Sequence, residues 1–270
     1  MIASNIKQMV LLAGLPRTGS TLLANILAQN PAFHVEGNSA LCQLMWDAKQ
    51  SCETNAKEQL IANNKAEQVK NNILSALPAL YYPNCAGKVV IDKCRPWVNE
   101  LNFTLAKKFI DSNIKAIVMV RPIDEILESY VQIVIKNNKS EDIYKTFLSE
   151  NSELIVSSFL ATLSAANQGN PNIIFVSYKT LINNTKNALE KIYNFINVET
   201  FNHNLDNIEQ VITEDDIVYG LKGLHTIKNK IAVTSKTFTL PEWAKEQCSL
   251  MTHSLFNAIQ ENNDGSLCRT

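Results

Sequence analysis

Apolar residues along this chain gather in short solid blocks, and between the blocks they recur every three or four positions. Met9-Val10-Leu11-Leu12-Ala13 is the first block, ending at Gly14-Leu15-Pro16. A run that is apolar on both faces suits a strand buried from both sides in a parallel sheet. Similar blocks stand at 88–91, 115–120 and 172–176. Helical periodicity fills the intervals. One helix is expected from Ser20, with Leu22, Leu23, Ile26 and Leu27 on one face, ending at Asn30-Pro31 because a residue before proline is pushed out of the α region. A long amphipathic helix is expected over 53–77 and stopped by Pro78, with others over 98–110, 123–135, 141–166 and 183–197. A closing helix spans 241–261, with Pro241 near its first turn.

Strands that alternate with helices form βαβ units, and these build a parallel sheet covered on both faces. Residues 199–239 break the rhythm: they are polar, mixed and too long for a simple connection, which marks them as a functional lid. With no repeat, low-complexity tract or linker in sight, 1–270 reads as a single domain.

Composition narrows the function classes. At 46% hydrophobic and 19% charged residues the chain is ordinary globular material. A formal net charge of −1 gives no global attraction to nucleic acid or anionic membrane, so any anion site must be built locally. The six cysteines form no CxxC pair and no Cys/His cluster at zinc spacing, which predicts reduced, mostly buried thiols and no metal. The first eight residues lack a signal peptide's apolar stretch, and no run approaches the ~18 apolar residues of a membrane span. A cytoplasmic protein is the expectation; its oligomeric state stays open.

The local chemistry begins at Gly14-Leu15-Pro16-Arg17-Thr18-Gly19-Ser20-Thr21, between the first strand and the first helix. The amides of a helix's first turn have no intrahelical partner, and the helix dipole adds partial positive charge there. This is the shape of a P-loop, but the lysine slot of GxxxxGK[ST] holds Ser20, and the cation comes earlier, as Arg17. In nucleoside triphosphatases that lysine reaches the β and γ phosphates and the next hydroxyl holds magnesium. Ile91-Asp92 is the nearest match to a magnesium-holding carboxylate, and Lys93 follows it at once. The loop reads as a cradle for a phosphate-like group without the triphosphate machinery.

Pro16-Arg17-Thr18-Gly19-Ser20-Thr21-Leu22 resembles the donor loop of sulfotransferases that use 3′-phosphoadenosine 5′-phosphosulfate, whose form is P-R-[ST]-G-[ST]-T-L after the first strand. That family reads the donor's 3′-phosphate with an arginine ending a later strand and a serine eight residues on. Arg121, after Val118-Met119-Val120, and Ser129 are similar to that pair. Val176-Ser177-Tyr178-Lys179-Thr180-Leu181 resembles the family's V-x-Y-E-x-L segment, with Lys179 where glutamate is usual, and implies that Tyr178 contacts the nucleotide. The resemblance runs from about residue 9 to 181 and implies an α/β, three-layer, P-loop-like fold with a central parallel sheet flanked by helices.

What the resemblance implies chemically is in-line transfer of SO₃ to a hydroxyl or amine, with cations at the sulfate and a base at the acceptor. Arg17 is the first cation. Lys93 is similar to the lysine after the second recognised strand in protein-tyrosine sulfotransferases and is the second. The family's base is a glutamate after the first helix in some branches and a histidine after a later strand in others. Glu36 is the residue expected here; His34 lies two positions away, and in the tyrosine enzymes the glutamate would fall on Asn38. Within the long irregular segment, His225, Lys228 and Lys230 are expected to cover the nucleotide. Two other readings stay open on sequence alone: a small-molecule kinase with a degenerate P-loop, and a nucleotide-binding module without catalysis.

Overall fold

A computed structural model describes residues 6–139, 143–149, 152–230 and 239–262. In chain order, β1 (Gln8–Gly14) leads to α1 (Ser20–Leu27), and β2 (Phe33–Asn38) to α2 (Leu41–Glu53), α3 (Lys57–Ala62) and α4 (Ala66–Tyr81). β3 (Val89–Lys93) is followed by a 3₁₀ turn (Arg95–Val98) and α5 (Glu100–Phe109); β4 (Lys115–Val120) is followed by α6 (Ile123–Lys136), α7 (Ile143–Leu148) and α8 (Ser158–Gln168). β5 (Ile173–Ser177) passes into α9 (Tyr178–Asn183) and α10 (Thr185–Ile196), and α11 (Glu242–Asn262) comes last.

The five strands are all parallel, in the order β2-β3-β1-β4-β5. Because side chains alternate along a strand, each solid apolar block feeds two cores. Leu11, Ala13, Val118, Val120 and Phe175 pack with α2, α5, α6, α8 and α11 on one face. Val10, Leu12, Ile117, Met119 and Val176 pack with α1 and α10 on the other. The result is the expected α/β fold in three layers, helices on both sides of a parallel sheet. Burial of each such side chain contributes about 1.5–3 kcal/mol, so the sheet that carries the site is held stiffly from two sides.

Three expectations need correction. The helix predicted over 53–77 is two helices, α3 and α4: α2 ends at Glu53, and the chain breaks again at Asn63-Asn64, where Asn64 turns left-handed at φ 54°. Pro78 does not stop α4 but sits buried near its end, where its missing N–H forgoes a single bond, the one to the carbonyl of Leu74. The helix predicted over 141–166 is interrupted too. Ser152 caps a single π turn (Glu153–Ser157) ahead of α8 by accepting from the amide of Ile155 at 3.3 Å, while positions 141, 142, 150 and 151 lie outside the described residues.

β2 was not expected as a strand. It is an edge strand paired only with β3, and Phe33 is its sole buried residue, so no solid apolar block announces it. Positions 198–230 contain no helix or strand among the described residues, yet they are not loose. Ile208 and Ile212 bury themselves beside α1, and the Asn25 side-chain oxygen accepts from the amides of Val211 and Ile212, each at 2.9 Å. Gln210 ties the segment to itself, donating to the His225 carbonyl at 3.1 Å and accepting from the Ile227 amide at 3.1 Å. We call this segment the strap; residues 231–238 of the predicted lid lie outside the described residues.

Candidate functional site

Arg17, Lys93 and Arg121, singled out in the first half of the sequence, sit at the carboxyl edge of the sheet, where open parallel sheets bind ligands. Gly14, Lys93, Val120 and Ser177 end β1, β3, β4 and β5, and the loop from 15 to 19 lies among them. Arg17 is left-handed at φ 58°, and Gly19 precedes α1 at φ 89°. A Cβ on Gly19 would lie 2.6 Å from the ring of Tyr178, so only glycine lets that ring close over the loop. Thr18 is fully buried, and its hydroxyl donates to the Leu15 carbonyl at 2.8 Å, which fixes the loop's shape. No side chain caps α1, so the first-turn amides at Ser20, Thr21 and Leu22 lack both an intrahelical partner and a cap.

Arg17 is the hub. Its Nε donates to Ser129 Oγ at 3.1 Å, and one terminal nitrogen donates to the Leu224 carbonyl of the strap. Burial, aided by the neighbouring Arg121, lowers its pKa below the ordinary arginine range, while Tyr130 opposes the shift. Arg121 donates to the Arg17 carbonyl at 3.2 Å and to Glu125 at 2.8 Å, and its guanidinium lies 4.4 Å from the Tyr178 ring centroid. Arg121 and Ser129, expected to act as a pair, are thus joined through Arg17. Tyr178 opens α9 behind Ser177, which caps that helix by accepting from the Thr180 amide at 3.0 Å.

Lys93 stands on the other side of the loop with only 5% of its side chain exposed. Its Nζ reaches Thr21 Oγ1 at 3.2 Å and Glu214 Oε1 at 2.8 Å. Burial depresses its pKa, and Glu214 pulls the other way. Asp92 is not available to a metal in this arrangement. It is fully buried and accepts from Trp97 Nε1 at 2.6 Å, Tyr82 at 2.7 Å and Ser39 at 2.8 Å, and burial raises its pKa.

The strap brings in residues that sequence reasoning did not name. Glu214, 8% exposed, is held from both sides: Lys93 binds Oε1, and Asn38 Nδ2 donates to Oε2 at 2.8 Å. Asn38 Nδ2 also lies 3.1 Å from His225 Nε2. An amide nitrogen only donates, so Nε2 accepts, and Nδ1 carries the proton given to Asp216 Oδ1 at 2.6 Å. Burial lowers the His225 pKa against the pull of Asp216. Of the three residues expected over the nucleotide, His225 reaches this cluster, while Lys228 and Lys230 are exposed on the strap.

Glu36 lies nearby but differently. Its Oε1 is 2.7 Å from His34 Nε2 and half of its side chain is in solvent. Between β2 and the strap opens a cavity of about 500 Å³, lined among others by Glu36, Asn38, Glu214, Val218 and Tyr219. One signal in the sequence that pointed this way is a long irregular stretch in a compact chain, carrying the acidic run Glu214-Asp215-Asp216.

The profile of the sulfotransferase family matches residues 10–202. The chain also superposes on the sulfotransferase domain from the Synechococcus PCC 7002 olefin synthase, with a TM-score of 0.61 and 16% identity over 94% of this chain and 96% of that one. The sulfotransferase domain from the curacin biosynthetic pathway gives a TM-score of 0.61 and 16% identity, covering 93% of this chain and 97% of the other. At such identity these two structures speak for the fold. No curated protein matches the chain in sequence. Among the described residues no helix is long and apolar enough to cross a membrane.

Proposed function

The chain belongs to the sulfotransferase family, and on that premise we propose that it takes its sulfuryl group from 3′-phosphoadenosine 5′-phosphosulfate and passes it to a hydroxyl or amine acceptor. The observation that carries this reading is the pair of cations, half-buried Arg17 and buried Lys93, flanking an uncapped helix terminus in which Ser20 occupies the lysine slot of a triphosphatase. Sulfuryl transfer needs charge stabilisation on the sulfate and bridging oxygens rather than covalent help from the protein, by analogy with phosphoryl transfer. Arg17 and Lys93 supply it, and the amides of Ser20, Thr21 and Leu22 receive the 5′-phosphate. Arg121 and Ser129 take the 3′-phosphate, for which a guanidinium fork and a hydroxyl are suited donors, and Tyr178 supports the nucleotide.

In this reading residues 1–270 work as one catalytic domain, supported by two cores that share a single sheet. The strap, with His225 inward and Lys228 and Lys230 outward, closes over the donor. The acceptor enters the cavity beside β2, where Glu36 and Glu214 are the carboxylates from which a base can come. No divalent metal takes part, consistent with the commitment of Asp92 to three hydrogen-bond donors. Titration calorimetry tests the reading. Adenosine 3′,5′-bisphosphate should bind in chelator-treated buffer and ATP far more weakly, and labelled sulfate should move from donor to acceptor. Preferential, magnesium-dependent binding of ATP would overturn it in favour of a kinase.

A further inference from the structure

We infer that Glu214, carried in by the strap, is the proton acceptor of the transfer step, in place of the Glu36 that follows the first helix. The inference rests on the donor reading above and deepens it. Glu214 is the carboxylate that faces both partners of the reaction. Through Lys93, which it contacts at 2.8 Å and which reaches Thr21 at 3.2 Å, it adjoins the head of α1 where the donor's phosphosulfate belongs. It also lines the cavity beside β2, where an acceptor can enter. Glu36 lines that cavity too, but it pairs with His34, has no contact with Lys93 and is half exposed.

The surroundings of Glu214 hold it in one pose. Asn38 grips its second oxygen, and the chain passes β2 at Gly37 so closely that a Cβ there would lie 2.5 Å from Glu214 Cγ. The strap on which it rides is pinned to α1 by the two bonds from Asn25. A base must stand within hydrogen-bond reach of the proton it removes. An acceptor hydroxyl in the cavity, aimed at the sulfate beside Lys93, meets Glu214 first. In the step itself the acceptor oxygen forms its bond to sulfur while its proton passes to the Glu214 carboxylate. The bond between sulfur and the bridging phosphate oxygen breaks, and its electron pair leaves on the nucleotide's 5′-phosphate. Lys93, released from Glu214 as that carboxylate is neutralised, is left to the departing phosphate.

The test uses the full chain, labelled donor, and water and a set of simple primary and secondary alcohols as acceptors, read by single turnover. Glu214→Gln should bind adenosine 3′,5′-bisphosphate within a few-fold of wild type while the chemical step slows roughly 10²–10⁴-fold, far more than for Glu36→Gln. Glu214→Ala should be slow likewise and partly rescued by formate, a result that loss of packing alone would not give. Glu214→Gln with wild-type rates, or with tighter nucleotide binding and faster turnover as expected of a mere plug on Lys93, overturns the inference and leaves the donor reading intact. A wild-type protein that does not bind the bisphosphate removes the donor reading and the inference with it.

Discussion

Replacing Lys93 with methionine keeps most of the side chain's volume and deletes one charge from a buried pair. Its partner Glu214, 8% exposed, would keep Asn38 at 2.8 Å and have His225 Nδ1 at 3.6 Å, with no cation in contact. Removing one member of a buried ion pair typically costs about 3–5 kcal/mol, because the remaining charge is left uncompensated. In a domain approaching this size each kcal/mol moves the melting temperature by about 2–4 °C, so Lys93→Met should melt roughly 6–20 °C lower at neutral pH. Without the ammonium the buried carboxylate has no compensating charge, and protonation removes that charge, so the deficit should shrink on acidification. The double variant Lys93→Met/Glu214→Gln removes both charges and should recover much of the loss, a coupling that a double-mutant cycle reads directly. Scanning calorimetry across pH makes the measurement. A single variant melting within about 2 °C of wild type, or a double variant as unstable as the two singles summed, would refute the reasoning.

Arg17→Ala should leave a folded protein whose transfer rate falls about 10²–10³-fold, the usual cost of losing one aimed donor of roughly 2.7–4 kcal/mol; single-turnover sulfate transfer measures it. Arg121→Ala should weaken adenosine 3′,5′-bisphosphate by about 1.5–3 kcal/mol, the worth of a hydrogen bond to a charged group, and 5′-AMP much less, as read by calorimetry. Equal losses for both nucleotides would mean that Arg121 serves mainly to brace the Arg17 carbonyl and Tyr178. His225 gives a pH signature of its own. Burial holds its folded-state pKa below the ordinary 6.5, so below that value the unfolded chain binds more protons and stability drops as pH falls. His203, lowered by burial as well, adds to the same slope, so His225→Gln should flatten part of it in chemical denaturation followed from neutral pH downward.

Four of the five strands were legible because they are buried on both faces and need nothing but apolar residues. The block at 115–120 became β4 (Lys115–Val120), and the blocks at 88–91 and 172–176 shifted by a residue or two into β3 and β5. The donor loop was legible for a related reason: Thr18, Gly19 and Ser20 act locally, and the loop lies between a readable strand and a readable helix. Arg121 and Tyr178 follow from where β4 and β5 end. What failed was edge and interruption. β2 alternates Phe33, His34, Val35 and Glu36 at the rim of the sheet with one face wet, and an apolar count does not distinguish that from a loop. Asn63-Asn64 ends a helical turn without glycine or proline, through the left-handed Asn64.

The way the strap is fixed, with the proposed base riding on it, eluded sequence reading for a different physical reason. Its fixation comes from side chain to backbone bonds spanning most of the chain: Asn25 to the amides of Val211 and Ile212, and Arg17 to the Leu224 carbonyl. Such bonds leave no period. They require only that one asparagine lie on the buried face of α1, a place where an unpaired amide would be costly. Asn25, fully buried in a helix otherwise lined there by Leu23, Ala24, Ile26 and Leu27, was the mark available in the sequence. Its carboxamide donates to the Thr21 carbonyl at 2.9 Å and accepts from the strap. The same helix whose first turn faces the donor therefore anchors, one turn later, the segment that carries Glu214. Donor loop and strap are coupled through Asn25, and a change that loosens that residue should disturb the acceptor side of the site before it disturbs the donor side.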